Sequence, residues 1–167
     1  MPRWEAEQTV TQSMLDRLID RDPGTPSEPA LTRAASVRQL RASLRRDLEW
    51  LLNTRRIPDA AGAEFEYLER SLYNYGLPDI SSLHWSSSKD RNRLAHMIET
   101  AIAHYEPRMD RVRVIALDAS GGGSVQVLRF QIEGMLKMDP APEHISFDTV
   151  LQLSSGEYQV KGESSAG

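Results

Sequence analysis

A chain of 167 residues is long enough for one domain with a real core and short for two, and 40% hydrophobic, 26% charged and 7% aromatic residues make an ordinary globular composition. The formal net charge of -4 gives no basic field for nucleic acid, and zero cysteines exclude a disulfide framework, a cysteine-based zinc site and a thiol nucleophile. No apolar run approaches a membrane span, and the stretch from Met1 to Glu7 lacks the apolar centre of a signal peptide, so a cytoplasmic protein without direct membrane insertion is expected.

In chain order, Val10, Met14, Leu15, Leu18 and Ile19 fall on one face of a short helix, with Gln12, Asp16, Arg17 and Asp20 on the other. Asp22-Pro23-Gly24-Thr25-Pro26-Ser27-Glu28-Pro29 then breaks regular structure, so residues 1–35 read as an amphipathic arm and linker. Two readings stand for the arm: it folds back on its own domain, or it docks in a partner's groove. The first long helix is predicted from Val37 to Arg55, with Ser36 and Gln39 at capping-box spacing and Val37, Leu40, Leu44, Leu48, Leu51 and Leu52 on one face. Its other face carries Arg38, Arg41, Arg45, Arg46, Asp47 and Glu49, read as a solvated surface laced with local pairs. A short helix over Glu64 to Leu72 should turn Phe65, Leu68 and Leu72 inward. Gly76 and Pro78 then punctuate Tyr73 to Asp79, a turn or else an anchor presenting Tyr75 and Leu77 to a partner.

A second long helix begins at Ser87, with Asp90 three residues on, and buries Leu94, Met97, Ile98, Ala101, Ile102 and Tyr105. Pro107 stops it, because proline cannot continue the hydrogen-bond ladder and pushes the preceding residue toward extended geometry. Glu106 and Arg108 therefore leave the helix at a fixed corner. Strands follow at Arg111 to Leu117, Val125 to Lys137 and Ile145 to Leu153, with a possible fourth around Tyr158 and Val160. Their apolar-in, polar-out alternation, as at Leu128, Phe130, Ile132 and Leu136, belongs to a sheet covered on one side. Ser120 to Ser124 is a hairpin tip and not a phosphate cradle, since no Gly-Lys-Ser/Thr ending follows and the next element is a strand. The expected fold is α+β: helices packed on one face of a small, mostly antiparallel sheet of three to four strands, within 36–162, followed by a flexible tail at 163–167.

The chain is poor in catalytic pattern. His84, His96, His104 and His144 include no HExxH and no pair at ligand spacing, so neither metal nor cofactor is expected. A glycoside hydrolase would need two carboxylates, for which Glu106 with Asp118 or Glu133 are the candidates. The adjacent Arg108 weakens Glu106 as an acid, because a neighbouring cation keeps a carboxylate ionised.

Three segments in order carry a resemblance: Arg46-Asp47-Leu48-Glu49-Trp50-Leu51-Leu52-Asn53-Thr54-Arg55-Arg56, Asn74-Tyr75-Gly76-Leu77-Pro78-Asp79 and Tyr105-Glu106-Pro107-Arg108. The succession resembles the TssE family of type VI secretion baseplate subunits, itself similar to the small wedge protein of contractile phage tails, long labelled lysozyme-like. It spans about Ser36 to Val160, and the Met14-Leu15-Asp16-Arg17-Leu18 segment resembles that family's arm. Tyr105 departs from the phenylalanine more common in the phage relatives. The resemblance implies assembly in place of catalysis: a wedge with TssF and TssG, initiation of the TssB/TssC sheath by strand addition, and TssK and the Hcp tube as further neighbours. It also implies partner contacts at Glu106, Pro107 and Arg108 and, through the arm, at Met14, Leu15 and Leu18, to which the loop residues add Tyr75 and Leu77 as candidate anchors. Two other classes remain, a peptidoglycan hydrolase using Glu106 and a free-standing regulatory binding module. On the assembly reading, Arg108→Ala is expected to spare the fold.

Overall fold

The computed structural model describes residues 10, 12–19, 24, 32–58, 65–69, 71–117 and 127–162. Asp118, the hairpin tip Ser120 to Ser124, most of the linker and the tail 163–167 lie outside the described residues. Two long helices, α2 (Arg33–Asn53) and α4 (Ser88–Tyr105), pack on one face of an antiparallel sheet. Its strands are β1 (Met109–Leu117), β2 (Val127–Leu136), β3 (Glu143–Gln152) and β4 (Glu157–Val160), in the order β1-β2-β3-β4. The fold is α+β. A short α1 (Met14–Leu18), α3 (Glu66–Glu69) and a 3-10 turn (Leu72–Asn74) complete the described helical segments.

The core is the meeting of three apolar faces. Leu44, Leu48 and Leu52 of α2 and Leu94, Ile98 and Ile102 of α4 are fully buried against Leu128, Phe130, Ile132, Leu136 and Leu151 of the sheet. Period 3.6 in the helices and period 2 in the strands select these residues, which is why the main core was readable from spacing.

Several expected boundaries move. Helix α2 starts at Arg33 instead of Val37, because Thr32 is the cap and its Oγ1 accepts the Ala35 amide at 3.3 Å. Ser36 sits inside the first turn, where its Oγ donates to the Arg33 carbonyl at 2.8 Å and accepts the Val10 amide at 3.2 Å. The expected helix from Glu64 to Leu72 shrinks to one turn, and its supposed inward residues face out, with Phe65 53% and Leu72 83% exposed. Local side chains compete with the helix there: Ser71 caps the 3-10 turn, and the buried Asn74 donates to the Leu68 carbonyl at 3.2 Å.

The turn after it is rigid. Gly76 has φ +106°, and a β-carbon on it would lie 2.3 Å from the Thr54 carbonyl oxygen. That close approach lets the Leu77 amide donate to Thr54 O and the Arg56 amide to Leu77 O, both at 2.9 Å, in a small parallel bridge. Helix α4 runs as its spacing predicts: Ser87 accepts the Asp90 amide at 3.3 Å, and the helix ends one residue before Glu106, with Pro107 next. Strand β1 then begins at Met109, two residues earlier than the alternation suggests, with a bulge between Asp110 and Arg113 and Arg111 at φ +50°.

Candidate functional site

The corner is closed on itself. Pro107 bends the chain so that Arg108 returns toward Glu106: its amide and Nε donate to Oε1 at 3.1 and 2.7 Å, and Nη2 donates to Oε2 at 2.5 Å. Nη2 also donates to Asp47 Oδ2 at 2.6 Å, which ties the corner to α2. The Glu106 hydrogen bonds hold the Arg108 guanidinium protonated far above its ordinary range, with burial opposing and Asp47 helping. Glu106 is only 5% exposed. The corner is fixed as expected, with Glu106 a buried partner of Arg108 and Pro107 the exposed member of the three.

The arm turns its polar face inward. Asp16, on the polar face, points inward at 7% exposure, while Met14 and Leu18 are 79% and 77% exposed, and Leu15 and Ile19 are also outward. Asp16 Oδ1 lies 2.9 Å from Arg46 Nη1 of α2. Gln12 bonds Gln39, and Ser13 caps α1. Burial would raise the Asp16 pKa, but hydrogen bonds from Ser13 and Arg46 outweigh it and the carboxyl is held below its ordinary range. The arm therefore folds back chiefly through polar contacts, with Val10 packed against the core and Met14, Leu15, Leu18 and Ile19 left facing outward.

The arginine-bearing face of α2 is correspondingly less solvated than expected. Arg46 Nε and Nη2 donate to Asp47 Oδ1 at 2.9 and 2.8 Å, and its guanidinium stacks 5.0 Å from the Trp50 ring centre. Arg41 pairs with Glu143 of β3, and Arg45 reaches the Val160 carbonyl at 3.4 Å. Spacing alone did not single out Asp47 as the link to the corner, because Arg108 comes from a distant segment.

Between arm and corner runs an open groove of about 550 Å³, lined among others by Leu15, Trp50, Tyr75, Tyr105, Pro107 and Arg108. Tyr75 and Tyr105 meet edge to face at 5.3 Å. Burial, then the charges of Asp47 and Glu106, raise the Tyr75 pKa. Leu77 does not join this surface. It is 0% exposed and belongs to the core, so its expected role as an anchor is corrected; the glycine turn beside it drives it inward.

The two borders of the sheet differ. On β4, Asn53 of α2 takes both outward groups of Tyr158, donating to its carbonyl and accepting its amide at 2.8 Å each, and Arg45 covers Val160. On β1, Glu99 of α4 accepts the Val114 amide at 3.1 Å. Antiparallel alternation turns the Ala116 amide and carbonyl outward as well, with no counterpart of Asn53 on them among the described contacts.

As an acid, Glu106 is poorly placed, since Arg108 occupies both of its oxygens. Glu133 lies on the sheet face away from the helices, and Asp118 is outside the described residues. No described helix is long and apolar enough to cross a membrane.

A family model described as GPW_gp25, baseplate wedge protein gp25, matches residues 38–141. No curated protein matches the chain. A chain of a solved structure titled the baseplate complex from the type VI secretion system is similar, at 21% identity over 69% of this chain and 96% of that one, with a TM-score of 0.47.

Proposed function

The chain belongs to the gp25 family of baseplate wedge proteins, whose model spans more than half of it, and from that premise we propose that it is a non-enzymatic baseplate subunit of a type VI secretion system that starts a contractile sheath. In this reading it joins TssF and TssG in the wedge and offers the β1 border to a strand from the first TssB/TssC ring. TssK and Hcp are further neighbours, on the cytoplasmic side of a membrane-docked apparatus. The observation that carries the strand-addition step is the unequal pair of borders: α2 side chains occupy β4, whereas β1 keeps outward backbone groups beside a single replaceable contact from Glu99. Added strands gain affinity from backbone hydrogen bonds and register from alternate side chains.

The arm supports the wedge contact. Four outward apolar residues on one short helix, held by polar bonds beneath, offer a preformed apolar stripe at little ordering cost. The groove with Trp50, Tyr75 and Pro107 continues that surface toward the corner.

The test is co-purification of the full chain with TssF/TssG and with TssB/TssC, using two variants. Ala116→Pro, which removes an outward amide, should abolish sheath recruitment and spare the wedge. Met14→Ser with Leu18→Ser should weaken the wedge and spare the sheath. Sheath recruitment unaffected by Ala116→Pro, in a folded variant, would sink the strand-addition reading. Peptidoglycan turnover by purified protein that vanishes in Glu106→Gln would install the hydrolase in its place.

A further inference from the structure

Five charges run without a gap from arm to corner. Asp16 Oδ1 lies 2.9 Å from Arg46 Nη1, Arg46 Nη2 2.8 Å from Asp47 Oδ1, Asp47 Oδ2 2.6 Å from Arg108 Nη2, and the same Nη2 2.5 Å from Glu106 Oε2. Signs alternate throughout. The two ends are the most enclosed, at 4% exposure for the Asp16 side chain and 6% for Glu106, and the three middle members are 21–24% exposed. Screening is therefore partial, unlike that of surface pairs.

Each middle member serves two partners. Arg46 divides its donors between Asp16 and Asp47, and Asp47 divides its oxygens between Arg46 and Arg108. Stacking on Trp50 anchors the Arg46 guanidinium while leaving it able to lean to either carboxylate. Among the described residues the arm has few other holds: Met14 and Leu18 face out, and the Val10 and Gln12 contacts and a Ser43 hydrogen bond to Asp16 join the ion pair.

We infer that this shared chain couples the arm to the corner, so that drawing Arg108 away from Asp47 loosens the arm, and releasing the arm frees Arg108. The sign follows from competition. Without Arg108, Asp47 is wholly available to Arg46, which leans away from Asp16. Without Asp47, Arg46 serves Asp16 alone. Without Asp16, Arg46 presses on Asp47 and weakens its hold on Arg108. Equilibrium coupling is reciprocal, so a partner engaging the corner and one displacing the arm assist each other. The biological use of this coupling rests on the partner-surface reading above, but the coupling itself is a property of the isolated chain.

Arg17 provides the readout. It is exposed within α1, and its amide is bonded to Ser13 O at 3.1 Å, so trypsin cleavage after it reports opening of the arm. On the full chain with no partner present, Asp16→Asn sets the upper rate. Arg108→Met is expected to accelerate cleavage about fivefold, a coupling of ~1 kcal/mol. Asp47→Asn is expected to slow cleavage or leave it unchanged. The opposite response of these neighbours separates coupling from general loosening, which would accelerate both. Should Arg108→Met fail to fold, Arg108→Lys, which keeps a charge for Glu106 but cannot span both carboxylates, is expected to show an intermediate acceleration. A folded Arg108 variant cleaved within twofold of wild type, or equal acceleration in Asp47→Asn, would overturn the inference. Neither result would bear on sheath or wedge recruitment, which is measured separately.

Discussion

At the scale of single residues, the buried Gly76 has no room for a side chain. Its φ of +106° is unfavourable for any side chain, and the Thr54 carbonyl leaves no space for a β-carbon. Gly76→Ala should cost at least ~2 kcal/mol and lower the thermal midpoint by several degrees, measured by circular dichroism. Tyr158 sets an alkaline limit. Burial pushes its hydroxyl up to about 12 against the pull of Arg55, so the fold favours the neutral phenol. An unfolded tyrosine ionises near ~10. Its contribution is thus complete below about pH 10 and lost as pH rises toward 12, roughly 2–3 kcal/mol in all, and Tyr158→Phe should flatten that decline in denaturant titrations. Arg108 is also tied into the fold. Removing it strands the buried Glu106 carboxylate, so Arg108→Ala should cost about 1–3 kcal/mol, and any assembly defect must be read against Arg108→Lys. The Glu-Pro-Arg corner was legible because proline geometry is local; that its carboxylate would be enclosed was not, because Asp47 comes from another helix.

At the scale of elements, the sequence reading succeeded where an apolar pattern was long. Helix α4 and strand β2 have enough repeats to fix face and phase, and both turn the expected residues inward. It was less decisive on short helices. In α1 the apolar stripe left fold-back and docking both open, and Asp16 forms the buried contact; five residues provide too little area for hydrophobic burial to overrule one well-placed ion pair. In the α3 region, Ser71 and Asn74 divert the chain into a 3-10 turn, and the pattern at Phe65 and Leu72 has no core to face. The borders of the sheet could not be read at all, since a covered edge and an open one have the same alternation. Asn53 supplies the cover on β4, and Asn53→Ala should cost about 1–2 kcal/mol through the two lost bonds to Tyr158. The same variant should raise the tendency of purified protein to self-associate, followed by light scattering; a strictly unchanged particle size would show that Asn53 does not guard this edge.

At the scale of the whole molecule, one layer of helices leaves the opposite sheet face polar, with Arg113 paired in register to Glu133 and Gln131 to Asp148. The arm, the groove and the β1 border lie on the rims and the helical side. Among the described residues, deletion through Asp22 removes the Asp16–Arg46 ion pair, the Val10 and Gln12 hydrogen bonds and the packing of Val10 on the core, but no fully buried apolar residue. It should therefore change the thermal midpoint by only a few degrees while abolishing wedge recruitment; a collapse of stability would mean that the arm is chiefly a structural strap. A meander with one border guarded and the other available has a direction. Such a protein can stand at the head of a row of strands but never within it, since a neighbour can be received on one flank alone. Polymerisation begun from it would run outward from the founder, and the founder's own helices would keep the row from growing backward.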